Sequence, residues 1–508
     1  MKNRVWIAAV ACLVLCFANL VYAESAPGTN ADAMVDVLKT LESKGVLTHQ
    51  EFETLKQKLA AEAEAQKAAP QLRTVAMQEA AEGKAMNVVS AMDSGVGFHA
   101  GRFDIAFSGE VNGFYVHDRP DTSHGLVCDL CEVSTGTRAS SSIRSGLLPS
   151  DLSIKISTQE HGWDVAVFFG IWPSIQNNPG PTGTVEGGFG GTTAVSTPGI
   201  DFRQHFATLG RPGFGTLKIG RDLGLFGQEA ILNDMTLLGA GTPFGNTNPG
   251  NVTLGRIGVG YIYTDFMPQI TYTTPSKHGL QAAIGIMSPL QDPIWGLAIS
   301  GSANGSLTGH GQPMIQGKLS YTAPTHGNVK VKFWSNVVTQ SMEANNGDFE
   351  GTLLPGDSIR ATGVDYGAKL NFHGLELVGY GYNTWGVGIL GLLWDGIGVN
   401  SANDRPEVRP SQGWYGQLTY TAHKNTLGFS YGQSNLSAAN STDLSFMQAG
   451  TYIGVPTVRN NTSYIAQYRY AVTKWDNLVA EWIHTTSENQ NFVKANSDAF
   501  ALGTIVFF

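Results

Sequence analysis

From residue 102 onward, the chain repeats short segments in which apolar and polar side chains alternate one by one. In "QPMIQGKLSYT" the apolar residues Ile315, Leu319 and Tyr321 alternate with Gln316 and Lys318. The segments "NVKVKFWS" and "TGVDYGAKLNF" have the same period of two. Successive side chains of a β-strand point to opposite faces, so each segment predicts a strand with one apolar and one polar face.

The connections between these segments alternate in length. Short turns, such as "QEHG" at 159, "SKHG" at 276 and "AHKN" at 422, join pairs of segments. The long polar stretches between the pairs are 117–149, 173–199, 222–266, 288–311, 340–357, 387–411 and 434–460. A soluble sandwich has no reason to sort its connections by length, whereas outer-membrane barrels have short periplasmic turns and long outer loops. The sequence therefore predicts an all-β fold, an antiparallel transmembrane β-barrel of about 16 strands over residues 102–508.

Low charge supports a barrel in a membrane. Charged residues make up 14% of the chain, against roughly 25% in soluble domains. Beyond the N-terminus no apolar run is long enough for a spanning helix, so a membrane location requires a barrel. The last strand, "SDAFALGTIVFF", places Phe500, Leu502 and Phe508 on one face, which we expect to contact the lipid bilayer. Aromatic residues at strand ends near the short turns, such as Tyr321 and Tyr420, fit an interfacial girdle.

Residues 1–23 read as a secretory signal peptide. Lys2 and Arg4 precede an apolar stretch that ends in "VYA" at Ala23. A retained membrane anchor is the alternative, because the apolar run approaches spanning length. Cleavage would remove two positive charges and change the net charge from −9 to −11, which disfavours a nucleic-acid partner.

Residues 24–92 have a different composition, rich in Ala, Glu, Lys and Gln, and predict a short periplasmic α-helical hairpin. Leu38, Leu41, Leu55 and Leu59 form its apolar seam, which is too small for an independent core. The segment "LESKGVLTHQEFETLKQKL" resembles the helix–turn–helix oligomerisation modules called SHOCT. A helical spacer is the simpler interpretation, and both remain open.

The stretch "DFRQHFATLGRPGFGTLKIGRDLGLFGQEAILNDMTLLGAG" resembles the fourth strand, tight turn and fifth strand of the trimeric general porins of Gram-negative bacteria. In that family the third loop folds into the barrel and narrows the pore. The resemblance implies a homotrimer in the outer membrane and a pore-constricting loop at 222–266. It also implies that the terminal aromatic residue, Phe508, is recognised by the barrel-insertion machinery.

The same resemblance identifies candidate constriction residues. Arg203, Arg221 and Arg256 match or extend the basic wall of the family, and Asp234 and Glu229 lie on the third loop. Arginines that oppose carboxylates across a narrow zone set a transverse field, which orients and selects permeants.

Two acidic residues depart from the family pattern. Asp201 and Asp151 stand where basic residues are usual, so the arginine wall is thinner. Together with the acidic mature chain, they lead us to expect a mild preference for cations. The alternative for each charged residue is a solvated position in the lumen that touches no permeant.

Cys128 and Cys131 are the only cysteines after residue 23, and they lie in the first long loop. An oxidising compartment favours a disulfide between them. A lone C-x₂-C lacks the second ligand pair of a zinc site, although His117 and His124 are nearby. No histidine follows Cys131, so covalent haem attachment is excluded.

No enzymatic or cofactor-binding motif is found. The predicted function is passive diffusion of small hydrophilic solutes and ions through a water-filled channel, with selectivity set at the constriction. One alternative is a substrate-specific channel for aromatic or lipophilic solutes, suggested by the apolar residues Leu223, Leu225, Phe226, Leu237 and Leu238. The other is an outer-membrane anchor that tethers the periplasmic helices to the cell wall.

Overall fold

The computed structural model describes residues 89–508, with gaps at 92–94, 122, 124, 134–138, 174, 176–199, 245, 247–250, 291–308, 310, 326–327, 344–355, 357, 401–404 and 452–453. Before residue 89 it describes only positions 39, 42, 48, 50, 52, 53 and 56. The chain divides into two compact units, residues 1–88 and residues 89–508. The predicted signal peptide and nearly all of the predicted helical hairpin lie outside the described residues.

The second unit is built from strands, and their bounds are as follows. They are β1 (Val89–Ala91), β2 (Val96–Ala100), β3 (Phe103–Pro120), β4 (Ser140–Arg144), β5 (Asp151–Glu160), β6 (Trp163–Pro173), β7 (Ile200–Arg211), β8 (Gly215–Leu223), β9 (Phe266–Thr273), β10 (Leu280–Met287), β11 (Met314–Thr322), β12 (Val329–Glu343), β13 (Ser358–Phe372), β14 (Leu375–Trp385), β15 (Ile397–Asn400), β16 (Arg405–Val408), β17 (Pro410–Ala422), β18 (Asn425–Leu436), β19 (Val458–Ala471), β20 (Asp476–Asn489) and β21 (Lys494–Phe507).

These strands form a closed antiparallel barrel. β4 and β5 pair with successive parts of β3 and together make the second barrel strand. Each later barrel strand pairs with the next barrel strand, so that β14 pairs with β17, and β21 pairs with β3 to close the barrel. β1 and β2 extend the sheet along β3 beyond β21, while β15 and β16 form a separate hairpin. The barrel proper has 16 strands, which confirms the predicted architecture.

The two faces of the strands carry opposite kinds of side chain, as alternation requires. The outward face carries large exposed apolar residues, among them Ile219, Ile284, Leu319, Phe333, Leu427, Phe500 and Leu502. The inward face carries buried polar residues, among them Gln269, Gln316, Asn336, Asp365, Gln417, Ser430 and Gln467. On β21, Phe500 and Leu502 are exposed while Ala501 and Ile505 are buried, so the terminal strand has the lipid-facing side that its sequence predicts.

The connections between strands alternate between short turns and long loops, as the sequence predicts. The short turns at 161–162, 212–214, 274–279, 323–328, 373–374, 423–424 and 472–475 join strand pairs, as expected from the sequence. In their described residues, the long loops contain two short α-helices, α1 (Gln228–Asn233) and α2 (Ser441–Ala449), and one 3-10 turn, Met235–Leu238. None of the helices that the structure describes is long and apolar enough to cross a membrane.

Several outer loops fold over the barrel and bury apolar side chains. Ile389, Leu393, Met447 and other loop residues share one buried cluster with the loop that follows β8. Within these loops the guanidinium of Arg409 is fully buried and donates to Asp443 (2.7 and 2.9 Å) and Asp395 (2.5 Å). The paired charges hold the segment before β17 to α2.

Candidate functional site: the lumen and the loop inside it

Residues 224–265, between β8 and β9, enter the barrel, and we call this segment the inner loop. Its first part is held by polar side chains of the wall. Gln316 Oε1 accepts hydrogen bonds from the backbone N–H groups of Leu225 (2.6 Å) and Phe226 (2.9 Å). Asp365 Oδ2 accepts one from Gly227 (2.7 Å), which has a left-handed φ of 76° and begins α1. These bonds satisfy backbone donors that would otherwise be buried without partners.

The second part of the inner loop is held in the same way on the other side of the lumen. Gln417 Oε1 accepts from the N–H of Met235 (2.7 Å). Glu481 Oε2 accepts from Ala240 (2.8 Å) and Gly241 (2.9 Å). The inner loop is therefore anchored to β11, β13, β17 and β20.

A matching family model and the fold decide where this chain belongs. A model described as Gram-negative porin matches residues 84–498, and the closed barrel with a loop folded inside is the architecture expected of such a channel. The chain belongs to the Gram-negative porin family. It is therefore an outer-membrane channel, and its family and fold are typical of non-enzymatic channels.

Several solved structures are similar to this chain at low sequence identity. The outer membrane channel DcaP of Acinetobacter baumannii is 13% identical, with 82% of this chain and 99% of that chain covered and a TM-score of 0.54. An anion-selective porin from Comamonas acidovorans is 13% identical over 80% of this chain and 100% of its own, with a TM-score of 0.49. Salmonella typhi OmpF, in complex with daunomycin, is 14% identical over 80% of this chain and 98% of its own, with a TM-score of 0.45. No curated protein sequence matches this porin.

Glu229 lies on α1 of the inner loop, as predicted, and contacts two lysines of the wall. Its carboxylate pairs with Lys318 of β11 and with Lys332 of β12, the latter at 2.7 Å. Burial alone would raise the pKa of Glu229, but the two ammonium groups outweigh burial and hold this pKa below its usual value. Its partners are therefore lysines of the wall and not the expected arginines.

Asp234 and Arg256 do not face each other across open water. Both belong to the inner loop, with 4% and 0% of their surfaces exposed. The carboxylate of Asp234 accepts hydrogen bonds from Tyr261 (2.9 Å) and from Thr236, and burial raises its pKa although Arg256 opposes this. Arg256 Nη1 donates to Ser463 Oγ of β19 (3.2 Å). This corrects the predicted opposition, because the hydrogen bonds of Asp234 stay within the inner loop, whereas Arg256 binds the loop to the wall.

Arg203 and Asp201 are brought together on β7. Arg203 Nε donates to Asp201 Oδ2 at 2.6 Å, and 11% of the arginine side chain is exposed. The guanidinium also lies 5.4 Å from the Trp172 ring and 5.5 Å from the Phe266 ring, within the range of cation–π contacts. The acidic departure from the family pattern thus neutralises the neighbouring arginine.

Arg221 lies on the opposite face of its strand from the lumen. Alternation along β8 groups it with Leu217 and Ile219, which are 38% and 54% exposed on the outward face. Lys218 and Asp222 share the inward face and form an ion pair. The prediction that Arg221 faces the lumen is corrected by this parity.

Asp151 begins β5 on the inward face. Its Oδ2 accepts a hydrogen bond from Ser153 Oγ at 2.7 Å, and it stands opposite the buried Glu110 of β3. It does not meet Arg203 or Asp201 in any hydrogen bond or ion pair that joins the described residues. The two acidic residues that depart from the family pattern, Asp151 and Asp201, therefore belong to separate groups of side chains.

The inward lysines are the functional candidates that the sequence reasoning missed. They are Lys155, Lys218, Lys318, Lys330, Lys332 and Lys369. Each occupies a polar position in a period-two strand, so their inward direction was readable from the pattern. Their meeting with the inner loop was not, because Lys332 and Glu229 are 103 residues apart.

Cys128 and Cys131 form a disulfide in the first outer loop, with their Cα atoms 5.6 Å apart, as the sequence predicts. The next residues reach into the barrel. Glu132 N–H donates to Asn461 Oδ1 of β19 (3.3 Å) and Val133 N–H donates to Ser487 Oγ of β20 (3.0 Å). In the part of the chain that the structure describes, no group of three or more His, Cys, Asp or Glu side chains is placed to hold a metal ion.

Proposed function

We propose that this porin forms a water-filled channel through which small hydrophilic solutes and ions diffuse passively. The observation that carries the proposal is the inner loop, which crosses a lumen lined by polar side chains and is fastened to four wall strands. A fastened loop narrows a pore without closing it, so size and charge together limit what passes.

The placement of charges changes the ion preference that we expect. Several inward carboxylates are paired with cations, as in Asp201 with Arg203 and Asp222 with Lys218. Lys155, Lys330 and Arg469 face the lumen and pair with no carboxylate among the described residues. These free cations lead us to propose a weak preference for anions, in place of the cation preference suggested by composition.

The zero-current potential in a planar bilayer under a salt gradient tests both the channel and its preference for anions. A stable ohmic conductance with an anion-signed potential is expected, and Lys155→Gln with Lys330→Gln should shift that potential toward the cation sign. Lys424→Gln, an exposed turn lysine, is the matched control and should leave it unchanged. A cation-signed potential in the unaltered protein would restore Asp151 as the dominant charge. Folded protein without conductance would refute the channel.

A second candidate function is selectivity for aromatic solutes. The apolar residues that suggested it do not carry it, because they pack into apolar clusters. Leu223, Leu225 and Phe226 are buried there, and Leu237 and Leu238 are partly buried. Support comes instead from Phe168 and Phe206, whose rings stack 5.1 Å apart on the inward faces of β6 and β7. The expected result is solute flux that saturates with aromatic permeants and becomes linear in Phe168→Ala. The anchor alternative concerns residues 24–92, nearly all of which lie outside the described residues.

We also propose that the channel is a homotrimer inserted by the barrel-insertion machinery through its C-terminal strand. Arg221 supports the trimer, because an outward arginine costs about 2–4 kcal/mol at the bilayer midplane unless protein covers it. Chemical cross-linking in detergent should give a trimer as the largest product.

A further inference from the structure

Five consecutive turns on the barrel rim share a distinctive composition. They join β9 to β10, β11 to β12, β13 to β14, β17 to β18 and β19 to β20, and their sequences contain neither Asp nor Glu. We call their described basic residues the basic rim. Its members, all exposed, are Lys277, His278, His373, His423, Lys424 and Lys474.

The backbone geometry does not by itself call for histidine at these positions. His278, His373 and His423 have φ values of 51°, 47° and 54°. This left-handed region is most often filled by Gly, Asn or Asp, and the recurrence of an imidazole goes beyond what the turn requires.

Each of the three imidazoles has basic or neutral neighbours. His278 follows Lys277 and His423 precedes Lys424.

His373 has the widest set of neighbours. It lies 3.3 Å from the amide nitrogen of Asn328 and packs edge-on against Phe372. It shares a recess of about 520 Å³ with Lys330, Arg469 and Glu376, and the carboxylate of Glu376 is already held by Lys369 at 2.8 Å. No ion pair joins the imidazoles of the basic rim to a carboxylate among the described residues.

A fourth turn provides the contrast. His161 has the same left-handed conformation, with a φ of 50°, but its Nδ1 lies 3.1 Å from Glu160 Oε1. It belongs to the β5–β6 turn, outside the basic rim.

Exposed aromatic residues place the basic rim at a defined depth. Tyr321, Phe372, Tyr420 and Trp475 end or follow the strands next to these turns and are 38–50% exposed on the outside. Such residues form the girdle at the membrane interface, and the short turns lie on the periplasmic side. The turns therefore lie at the level of the lipid headgroups. Lys474 already lies over the ring of Trp475, 4.6 Å from its centre.

We propose that the basic rim binds anionic phospholipid headgroups of the periplasmic leaflet, and that protonation of its three histidines strengthens binding as the pH falls. Neighbouring turns are separated by two strand spacings, about 10 Å, so each can contact its own headgroup. Histidine is the side-chain type that gains its positive charge between pH 8 and 5, and positive residues near an anionic surface bind it.

The test uses the full-length protein in nanodiscs of phosphatidylcholine with a minor fraction of phosphatidylglycerol. Enrichment of phosphatidylglycerol around the protein is measured by fluorescence transfer from a labelled lipid at pH 7.5 and pH 5.5. The variants are His278→Asn/His373→Asn/His423→Asn, which keeps the left-handed turns, and Lys277→Gln/Lys424→Gln/Lys474→Gln. His161→Asn is the matched control.

We expect enrichment in the unaltered protein at pH 7.5, rising about two- to fivefold at pH 5.5 and weakening with added salt. The triple histidine variant should lose the rise and keep the pH 7.5 value, whereas the triple lysine variant should lose enrichment at pH 7.5. His161→Asn should behave like the unaltered protein. Phosphatidylglycerol at no more than its bulk fraction around the protein at both pH values would overturn the proposal, as would a full rise in the triple histidine variant. Single-channel conductance checks that each variant is folded.

Discussion

At the scale of single residues, Glu132 shows how the first outer loop is held inside the barrel at a cost. Its side chain is buried, and neither carboxylate oxygen has a hydrogen-bond partner in the described part of the chain. The nearby hydroxyl of Thr242 donates to Gly255 O instead. Burial, offset only in part by Thr242, raises the pKa of Glu132 to about 8.

This raised pKa predicts that the docked loop is less stable at high pH. The unfolded chain releases the proton near pH 4.5 and the folded chain near pH 8, so stability falls as the pH rises between these values and is constant above them. Glu132→Gln should remove this slope and stabilise the protein at pH 9, by up to about 5 kcal/mol. Denaturant unfolding from pH 4 to pH 9 measures the effect.

The exposed Glu160 supplies the control for that series, because its carboxylate lies at a turn. Glu160→Gln should keep the slope of the unaltered protein. A slope that also persists in Glu132→Gln would mean that another group titrates.

The candidate site also shows which single residues a sequence can and cannot assign. Glu229 lies on the inner loop, but its lysine partners, Lys318 and Lys332, are supplied by strands 89 and 103 residues later. Arg256 was expected at the constriction from the family resemblance, yet it is fully buried and donates to Ser463. Arg221 was misplaced by one step of the strand period, since neighbouring residues point to opposite faces.

At the scale of elements, the inner loop is a long segment with little regular structure of its own. Its apolar residues lie against the wall and its backbone N–H groups are bound by wall side chains. Glu481 is the anchor farthest along the chain from the inner loop. One of its carboxylate oxygens accepts from two backbone N–H groups of the loop, and the other accepts from Gln467 at 2.7 Å.

Removing this anchor should loosen the loop and leave the barrel intact. In Glu481→Leu, the N–H groups of Ala240 and Gly241 lose their acceptor, at a cost of about 1–3 kcal/mol per buried donor. We expect noisier open-channel current and a wider pore in single-channel recordings, with normal heat-modifiable migration of the barrel on gels. Thr485→Val, a buried inward position on the same strand with no bond to the loop, is the control. Quiet current of normal size in Glu481→Leu would show that the other anchors suffice.

The strands and turns were predictable from sequence because their signals are local. A period of two and a His-Gly or Pro-Gly turn are read within a dozen residues. The split of the second barrel strand into β4 and β5 was not predictable, since only their pairing with β3 shows that the two segments occupy one strand position of the barrel.

At the scale of the whole molecule, the outward face of the barrel is apolar except at a few positions, of which Arg221 is one. Its effect depends on what covers the barrel there. Facing lipid, Arg221 would lower stability. Facing a neighbouring subunit, it would add to the contact.

Arg221→Leu distinguishes these cases by the sign of its effect. We expect the trimer to dissociate at a lower temperature in SDS, while unfolding of the separate barrel is unchanged. Ile219→Leu, on the same face, should have little effect on either transition. A trimer that becomes more resistant in Arg221→Leu would place this residue in lipid and move the subunit contact elsewhere on the wall.

The anchoring of the inner loop has a consequence for the order of assembly. The loop follows the fifth barrel strand, yet its farthest anchor, Glu481, lies 241 residues later in the chain than Ala240. The inner loop therefore cannot make all of its wall contacts until nearly the whole barrel is in place. A half-inserted barrel would be a wide and leaky opening, so the barrier function of the membrane depends on how quickly the last strands arrive.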